Sequence, residues 1–147
     1  MATQHEIQKA VFLLLDGTTA VTDQLAAHAY TVGKKAIYDG VPQPNDAGGL
    51  PAFPYVAIGE WTAVPWDTDS DDGRESTLTL HSFSRYHGNK ELQNIMDAIK
   101  AVLHDADLAI SAEWMVLCYL EFAESVPEAD GVTRHGVQRF RIISQGA

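Results

Sequence analysis

The N-terminal hydrophobic residues repeat with the period of a helix. Apolar residues recur every three or four positions across residues 7–15, which predicts a helix with a buried face. Thr3 followed by Glu6 is a capping-box pattern, and Gly17 marks the end of the helix. Because Leu13 and Leu15 widen the apolar stripe, we expect this helix to be covered on more than one side.

A second helical period runs from Asn89 to His104 and is the clearest element in the chain. Asn89 is a plausible N-cap because its side-chain oxygen can accept a hydrogen bond from the first turn. The apolar positions form one stripe: Leu92, Ile95, Met96, Ile99, Val102 and Leu103. Such a stripe predicts an amphipathic helix packed against a sheet.

Two runs rich in β-branched and aromatic residues, 55–66 and 74–86, predict a hairpin closed by residues 67–73. A turn centred in that connection pairs even-numbered residues with even-numbered residues. The resulting core face would hold Val56, Ile58, Val64, Leu78 and Leu80. Glu60 and Thr62 fall on the same face and break the pattern, which a β-bulge or a subunit contact would explain.

A second hairpin is predicted from residues 113–125 and 132–144, with the turn at 127–131. Its core face would hold Trp114, Val116, Cys118, Leu120, Phe122, Phe140 and Ile142. Residues 113–130 carry five acids and no base, whereas 131–147 carry three arginines and no acid. Opposite charges on neighbouring strands favour this pairing and its register.

The remaining segments complete an α+β fold. Residues 18–35 are ambiguous and have room for a second short helix, and 37–38 form a short strand candidate. Residues 40–54 are rich in proline and glycine, which predicts a long surface loop. We therefore expect one domain over residues 1–147, with two β-hairpins in a mostly antiparallel sheet and the two helices packed on it. A mixed sheet remains an alternative.

Composition excludes several classes of protein. The chain has 147 residues, 46% of them hydrophobic and 20% charged, which is typical of a folded globular domain rather than a disordered tail. Its apolar runs, such as Val11–Leu15, are far shorter than the ~20 residues of a membrane-spanning helix. A net charge of −10 disfavours general binding to duplex DNA, which depends on clustered basic residues.

The sequence contains no complete catalytic motif. His5 and Glu6 begin like a zinc-protease helix, but Lys9 stands where the second zinc-binding histidine must be. The single cysteine, Cys118, lies in a predicted buried strand and is interpreted as a packing residue. The six histidines are interpreted as scattered surface or capping residues. We expect no enzyme activity and no cofactor.

The acidic connection between the first two strands is a weak calcium candidate. Asp67, Asp69 and Asp71 resemble the start of a calcium loop, in which alternating carboxylates converge on one ion. However, Asp72 replaces the required glycine, and Leu78 stands where the bidentate glutamate belongs. A solvated turn is therefore the favoured interpretation.

Four groups of residues in series form a recognisable pattern: 37–42, 54–60, 78–85 with Gly88 and Glu91, and 130–131 with 135–141. In order and spacing they resemble the tail-completion, or tail-terminator, family of long-tailed bacteriophages and gene transfer agents. The resemblance spans about residues 36–143, which is most of the chain.

The resemblance implies a structural role in a virion. Family members are taken to form a six-membered ring of identical subunits at the head-proximal end of the tail, assembled in the host cytoplasm. The ring ends polymerisation of the tail tube protein and offers a surface to the head connector. Genomic DNA passes through its lumen without specific binding, and no membrane is involved. The alternatives are another head–tail connector or tail-tube protein, or a small acidic hydrolase or ligand-binding domain.

Two surface hypotheses follow from this resemblance. We expect the acidic loop, defined as Asp67, Asp69, Asp71 and Asp72, to face the lumen or the tail tube, where like charge would keep DNA from adhering.

We also expect Arg85, Arg139, Arg141 and Glu60 to contribute to the subunit interface. There, paired charges set orientation more than affinity. The alternative is that the arginines pair within the chain, with Glu121 or Glu124.

Overall fold

The computed structural model describes residues 3–41, 52–108, 110 and 113–146, except for the side chains of 113–116. The predicted core positions Trp114 and Val116, and residues 42–51 of the predicted loop, lie outside this description. The elements are α1 (Gln4–Asp16), α2 (Thr19–Thr22), β1 (Ile37–Tyr38), β2 (Tyr55–Pro65), β3 (Gly73–Ser84), α3 (Lys90–Leu103), β4 (Glu113–Pro127) and β5 (Arg134–Gly146). The predicted α+β class is confirmed.

Helix α1 begins and ends where the sequence predicts. Thr3 Oγ1 accepts a hydrogen bond from the Glu6 backbone N–H at 3.2 Å, and the Thr3 N–H donates to Glu6 Oε2 at 2.7 Å, so both halves of the capping box form. Gly17 caps the C-terminus. The buried face holds Ile7, Ala10, Val11 and Leu15. Leu13 is 55% exposed, so the prediction that it widens the covered face is wrong.

The five strands form one mixed sheet in the order β1-β2-β3-β5-β4. Short β1 runs parallel to β2, and every other neighbouring pair is antiparallel. The mixed sheet left open as an alternative is therefore the one observed. Helices α1 and α3 lie on one face of it, and their apolar side chains share one core cluster with Val56, Ile58, Leu78, Leu80, Cys118, Phe140 and Ile142.

A β-bulge corrects the predicted facing of β2. Up to Ile58 even-numbered residues pair with even-numbered residues, as predicted, but the register shifts between Ile58 and Trp61, and Glu60 lies in this irregular step. Because a shift of one residue moves following side chains to the other face, Val64 pairs with Glu75 and is 52% exposed. The predicted core position of Val64 is therefore wrong.

A second bulge corrects the facing of β4. Cys118 pairs with Ile142, and both lie on the core face as predicted, but the register shifts between Leu120 and Phe122. Phe122 then pairs with Arg139 and is 40% exposed. Its predicted core position is wrong for the same reason as that of Val64.

Helix α3 matches its predicted bounds and buries Leu92, Ile95, Ile99 and Leu103. Asn89 is the N-cap residue, but its side chain makes no capping hydrogen bond. Instead Asn89 Oδ1 accepts a hydrogen bond from Arg134 Nη1 at 3.3 Å. The ambiguous segment contains the single turn of α2 and an isolated bridge between Ala27 and Lys35.

Candidate interaction surfaces

The acidic loop is a tight turn held by its own hydrogen bonds. Asp67 Oδ1 accepts from the Gly73 backbone N–H at 2.9 Å, and Ser70 Oγ donates to Asp71 Oδ2 at 2.9 Å. Gly73 has no room for a side chain, because a Cβ there would collide with the carbonyl oxygen of Trp66. Within the described ranges, no three His, Cys, Asp or Glu side chains are arranged to hold a metal ion.

Arg141 is engaged within the chain. Its guanidinium forms an ion pair with Glu75 on the adjacent strand and a hydrogen bond with Tyr119 on β4. All three residues lie on the sheet face opposite the helices. Arg141 thus links β3, β5 and β4 across that face.

Arg85 anchors the turn between β4 and β5. Its Nε donates to Thr133 Oγ1 at 3.1 Å, its guanidinium lies 4.2 Å from the centre of the Phe53 ring, and Nη2 is 4.0 Å from Asp130 Oδ2. The Thr133 N–H and hydroxyl and the Val132 N–H donate to Asp130, and they lower the pKa of its carboxyl to about 2.

Arg139 is exposed and differs from the other two arginines of the predicted interface set in its partners. Its guanidinium lies 5.4 Å from the centre of the Phe122 ring on β4. In the part of the chain that the structure describes, no carboxylate forms an ion pair with it. Arg139 is thus an available cation on the sheet face that the helices leave uncovered.

The part of β2 that extends beyond β1 and the outer strand β4 both expose apolar side chains. Strand β1 pairs with β2 only at Val56 and Ala57, so in the described ranges residues 59–65 have a strand partner on one side only. Trp61 and Val64 on this edge are each half exposed. At the other end of the sheet, β4 exposes Leu117 and Phe122. Unpaired edges with apolar side chains are uncommon on isolated proteins, because they invite pairing with another strand.

The uncovered face also carries a hydrogen-bonded row of four side chains. Glu60 Oε1 is 2.8 Å from His81 Nε2, and His81 Nδ1 is 2.6 Å from His135 Nε2. His135 Nδ1 is 2.8 Å from Glu128 Oε1. The prediction of scattered histidines is therefore wrong for His81 and His135.

This row could not be located from the sequence because it depends on the sheet order. His81 lies on β3 and His135 on β5, strands of two different predicted hairpins. Both have odd numbers and so fall on the non-core face of their strands. That shared parity was the available signal, but only the β3–β5 pairing brings the two imidazoles together.

Cys118 is buried on the core face. Burial raises the pKa of its thiol to about 12. A thiol that remains protonated near neutral pH is a poor nucleophile, which agrees with the interpretation of Cys118 as a packing residue. No described helix is long and apolar enough to cross a membrane.

A family model described as Tail completion protein gp17 matches residues 10–145 of this chain. The chain belongs to the tail completion protein gp17 family. It is therefore a structural tail-completion protein of a phage-type virion, and the resemblance noted in its sequence is confirmed.

Two individual proteins are similar to this chain, one in sequence and one in fold. Tail completion protein gp17 of Bacillus phage SPP1 is 29% identical over 89 residues, which cover 60% of this chain and 66% of the phage protein, just under two thirds of its length. A chain in the virion of a native gene transfer agent particle matches with a TM-score of 0.79 at 21% identity, covering 95% of both chains. At that identity the structural match establishes a shared fold.

Proposed function

We propose that this tail-completion protein forms a six-membered ring that caps the head-proximal end of the tail tube. The ring ends polymerisation of the tail tube protein and presents a surface to the head connector, and the protein acts by shape and interface complementarity. The observation that carries this proposal is the family match over residues 10–145. The ring assembles in the host cytoplasm and remains in the finished virion.

The sheet edges support a head-to-tail arrangement of subunits. The free part of β2 and the outer side of β4 are different surfaces at opposite ends of the sheet. Contacts between unlike surfaces generate rings when the rotation closes, whereas contacts between like surfaces generate dimers. Trp61 and Val64 at one end, and Leu117 and Phe122 at the other, supply exposed apolar surface that such contacts would bury.

Charged residues of the uncovered face complete the proposed interface. Arg139 is available for an acid of a neighbouring subunit, and Glu60 is 69% exposed at the side chain. Arg85 and Arg141 already have partners within the chain, so their role at the interface would be to position loops and strands. Arg139 is thus the arginine whose charge tests the interface most directly.

The acidic loop is proposed to face the lumen. With a net charge of −10 per subunit, a six-membered ring carries about −60 before counterions, and like charge repels a passing DNA backbone. Low affinity for DNA suits a channel through which the genome must slide. A structure of the assembled ring with Asp67 and Asp69 on the outer perimeter would overturn the lumenal placement.

Deletion of the gene from its phage or gene transfer agent tests the function as a whole. We expect tails of uncontrolled length that are detached from full heads, seen by negative-stain electron microscopy. Normal infectious particles would overturn the proposal. Regular tail lengths with defective heads would instead favour a connector role, and missing tails would favour a tube role.

Arg139→Glu tests the interface with a matched control. The control is Lys90→Glu, which makes the same change of charge at an exposed position in the first turn of α3. We expect Arg139→Glu to fold but to lose ring formation, on its own or on added tube ends, in light scattering and negative-stain images. Rings as abundant as those of Lys90→Glu would rule out an interface role for Arg139.

A further inference from the structure

His81 and His135 form a histidine pair whose outer nitrogens each face a carboxylate. The outer contacts are His81 Nε2 to Glu60 and His135 Nδ1 to Glu128, both at 2.8 Å. The inner contact joins His81 Nδ1 to His135 Nε2 at 2.6 Å. Each histidine side chain is only 18% exposed. The pair thus connects β2, β3, β5 and the turn after β4.

Counting protons on this row gives its charge. An ionised carboxylate can only accept, so each outer nitrogen must carry a hydrogen to form its hydrogen bond. A neutral imidazole has one N–H, and the outer bonds use both of these hydrogens. The inner nitrogens would then face each other with two lone pairs at 2.6 Å. One additional proton, shared between them, satisfies all three contacts.

We propose that the histidine pair is a single proton-binding site that holds one proton more than two neutral imidazoles. The bound proton gives the pair one positive charge, placed between two carboxylates. With the proton present, the row clamps the bulge of β2 to β5 and to the β4–β5 turn. This inference does not depend on how subunits of the tail-completion protein assemble.

The surroundings favour a single positive charge. The Phe83 ring stacks on His135 with centroids 4.4 Å apart and planes 14° from parallel, and the face of an aromatic ring attracts a cation. Tyr55 stacks on Phe83 in turn, at 4.9 Å.

The other charged groups near the row influence the histidine pair only indirectly. Arg139 on β5 lowers the pKa of Glu60, although less than the backbone hydrogen bond of Glu60 and its contact with His81 do. Burial raises the pKa of Tyr55, and the charge of Arg85, which directly follows β3, partly offsets this increase. On β4, Glu124 pairs in register with Val137, next to the row. The two carboxylates in direct contact therefore set the local charge, and they can accommodate one added proton.

Stability should then have a maximum in pH. In the unfolded chain each imidazole has a pKa of about 6.5. Above that pH the folded pair holds more protons than the two imidazoles of the unfolded chain, so raising the pH destabilises the fold. Below that pH the unfolded imidazoles approach two bound protons whereas the folded pair holds one, so lowering the pH also destabilises the fold. The contribution of the pair is therefore largest near pH 6.5.

NMR on the wild-type protein tests the proton count directly. Long-range ¹H–¹⁵N spectra of the imidazoles at pH 6.5 should show protonated outer nitrogens and an inner pair that shares one hydrogen. Two neutral rings, or a ring without its carboxylate contact, would overturn the proposal.

Variants test the pH dependence. We expect His81→Gln and His135→Gln each to lose the maximum near pH 6.5 in urea unfolding, and the double variant to be little worse than either single one. His87→Gln, which removes an exposed imidazole outside the row, should keep the wild-type profile. A His135→Gln profile with the wild-type maximum would refute the shared proton.

Discussion

Gly59 in the bulge of β2 provides a quantitative test of the contacts on the uncovered face. A Cβ built on Gly59 would lie 2.6 Å from His81 Cδ2 and 2.7 Å from Nε2. We expect Gly59→Ala to destabilise the protein by displacing the His81 ring. The destabilisation belongs to this position, because a methyl group on Gly40 would have nothing within 4 Å, and Gly40→Ala should stabilise the protein by about 0.4–1 kcal/mol.

The size of the effect follows from how tightly the ring is held. Ordinary contact begins near 3.4 Å, so the imidazole must move by about 0.8 Å. Its hydrogen bonds of 2.6 and 2.8 Å cannot both tolerate such a shift, and a lost bond to a charged group costs about 1.5–3 kcal/mol. Replacing glycine with alanine also stabilises the protein by about 0.4–1 kcal/mol, because it lowers the conformational entropy of the unfolded chain. The net loss should be about 1–2 kcal/mol.

Equilibrium urea unfolding at pH 6.5 measures this loss, and the decisive comparison uses two backgrounds. In His81→Ala the clash with the imidazole is absent, so adding Gly59→Ala should leave only the gain of about 0.4–1 kcal/mol through the unfolded chain and should not destabilise the protein. An equal cost in both backgrounds would show that the penalty comes from the backbone of the bulge, and the reasoning from His81 would fail. Gly40→Ala controls for the general effect of the substitution.

Three further predictions concern other parts of the fold. Cys118 should react with a thiol reagent at pH 8 only as fast as the protein opens, since burial raises the pKa of its thiol to about 12. Rapid labelling of the native protein would contradict its buried position. Hydrogen bonds lower the pKa of Asp130 from 3.8 to about 2, so its contribution to stability is complete above about pH 4 and is lost as the pH falls towards 2. Unfolding measured against pH should show a shallower acid decline for Asp130→Asn, and parallel curves would argue against this assignment. Ile99→Ala opens a cavity beneath the sheet and should cost about 2–5 kcal/mol in urea unfolding, whereas a loss below about 1 kcal/mol would mean that the core collapses around it.

The elements of this protein could be predicted from local pattern. The capping residues Thr3 and Glu6 and the apolar stripes of α1 and α3 act within one or two helical turns, so their consequences are visible along the chain. The short strand β1 and both hairpins follow from local residue preferences in the same way. The likeness to tail-completion proteins was also carried by local segments, and the family match over residues 10–145 confirms it.

The facing of the strand ends and the candidate surfaces depended on the tertiary structure. Each bulge changes the parity of its strand, so Val64 and Phe122 moved to the exposed side against a parity rule that held as far as Ile58 and Leu120. In β2 the breaks in the alternation at Glu60 and Thr62 agreed with a bulge, but a subunit contact would have explained them equally well. Pairing of β3 with β5 joined His81 to His135 across 54 positions. Periodicity specifies which residues share a face within one element, because backbone geometry is local. Which strands become neighbours is decided only when the whole core is packed, and that choice created the histidine row and placed β2 and β4 towards the two ends of the sheet.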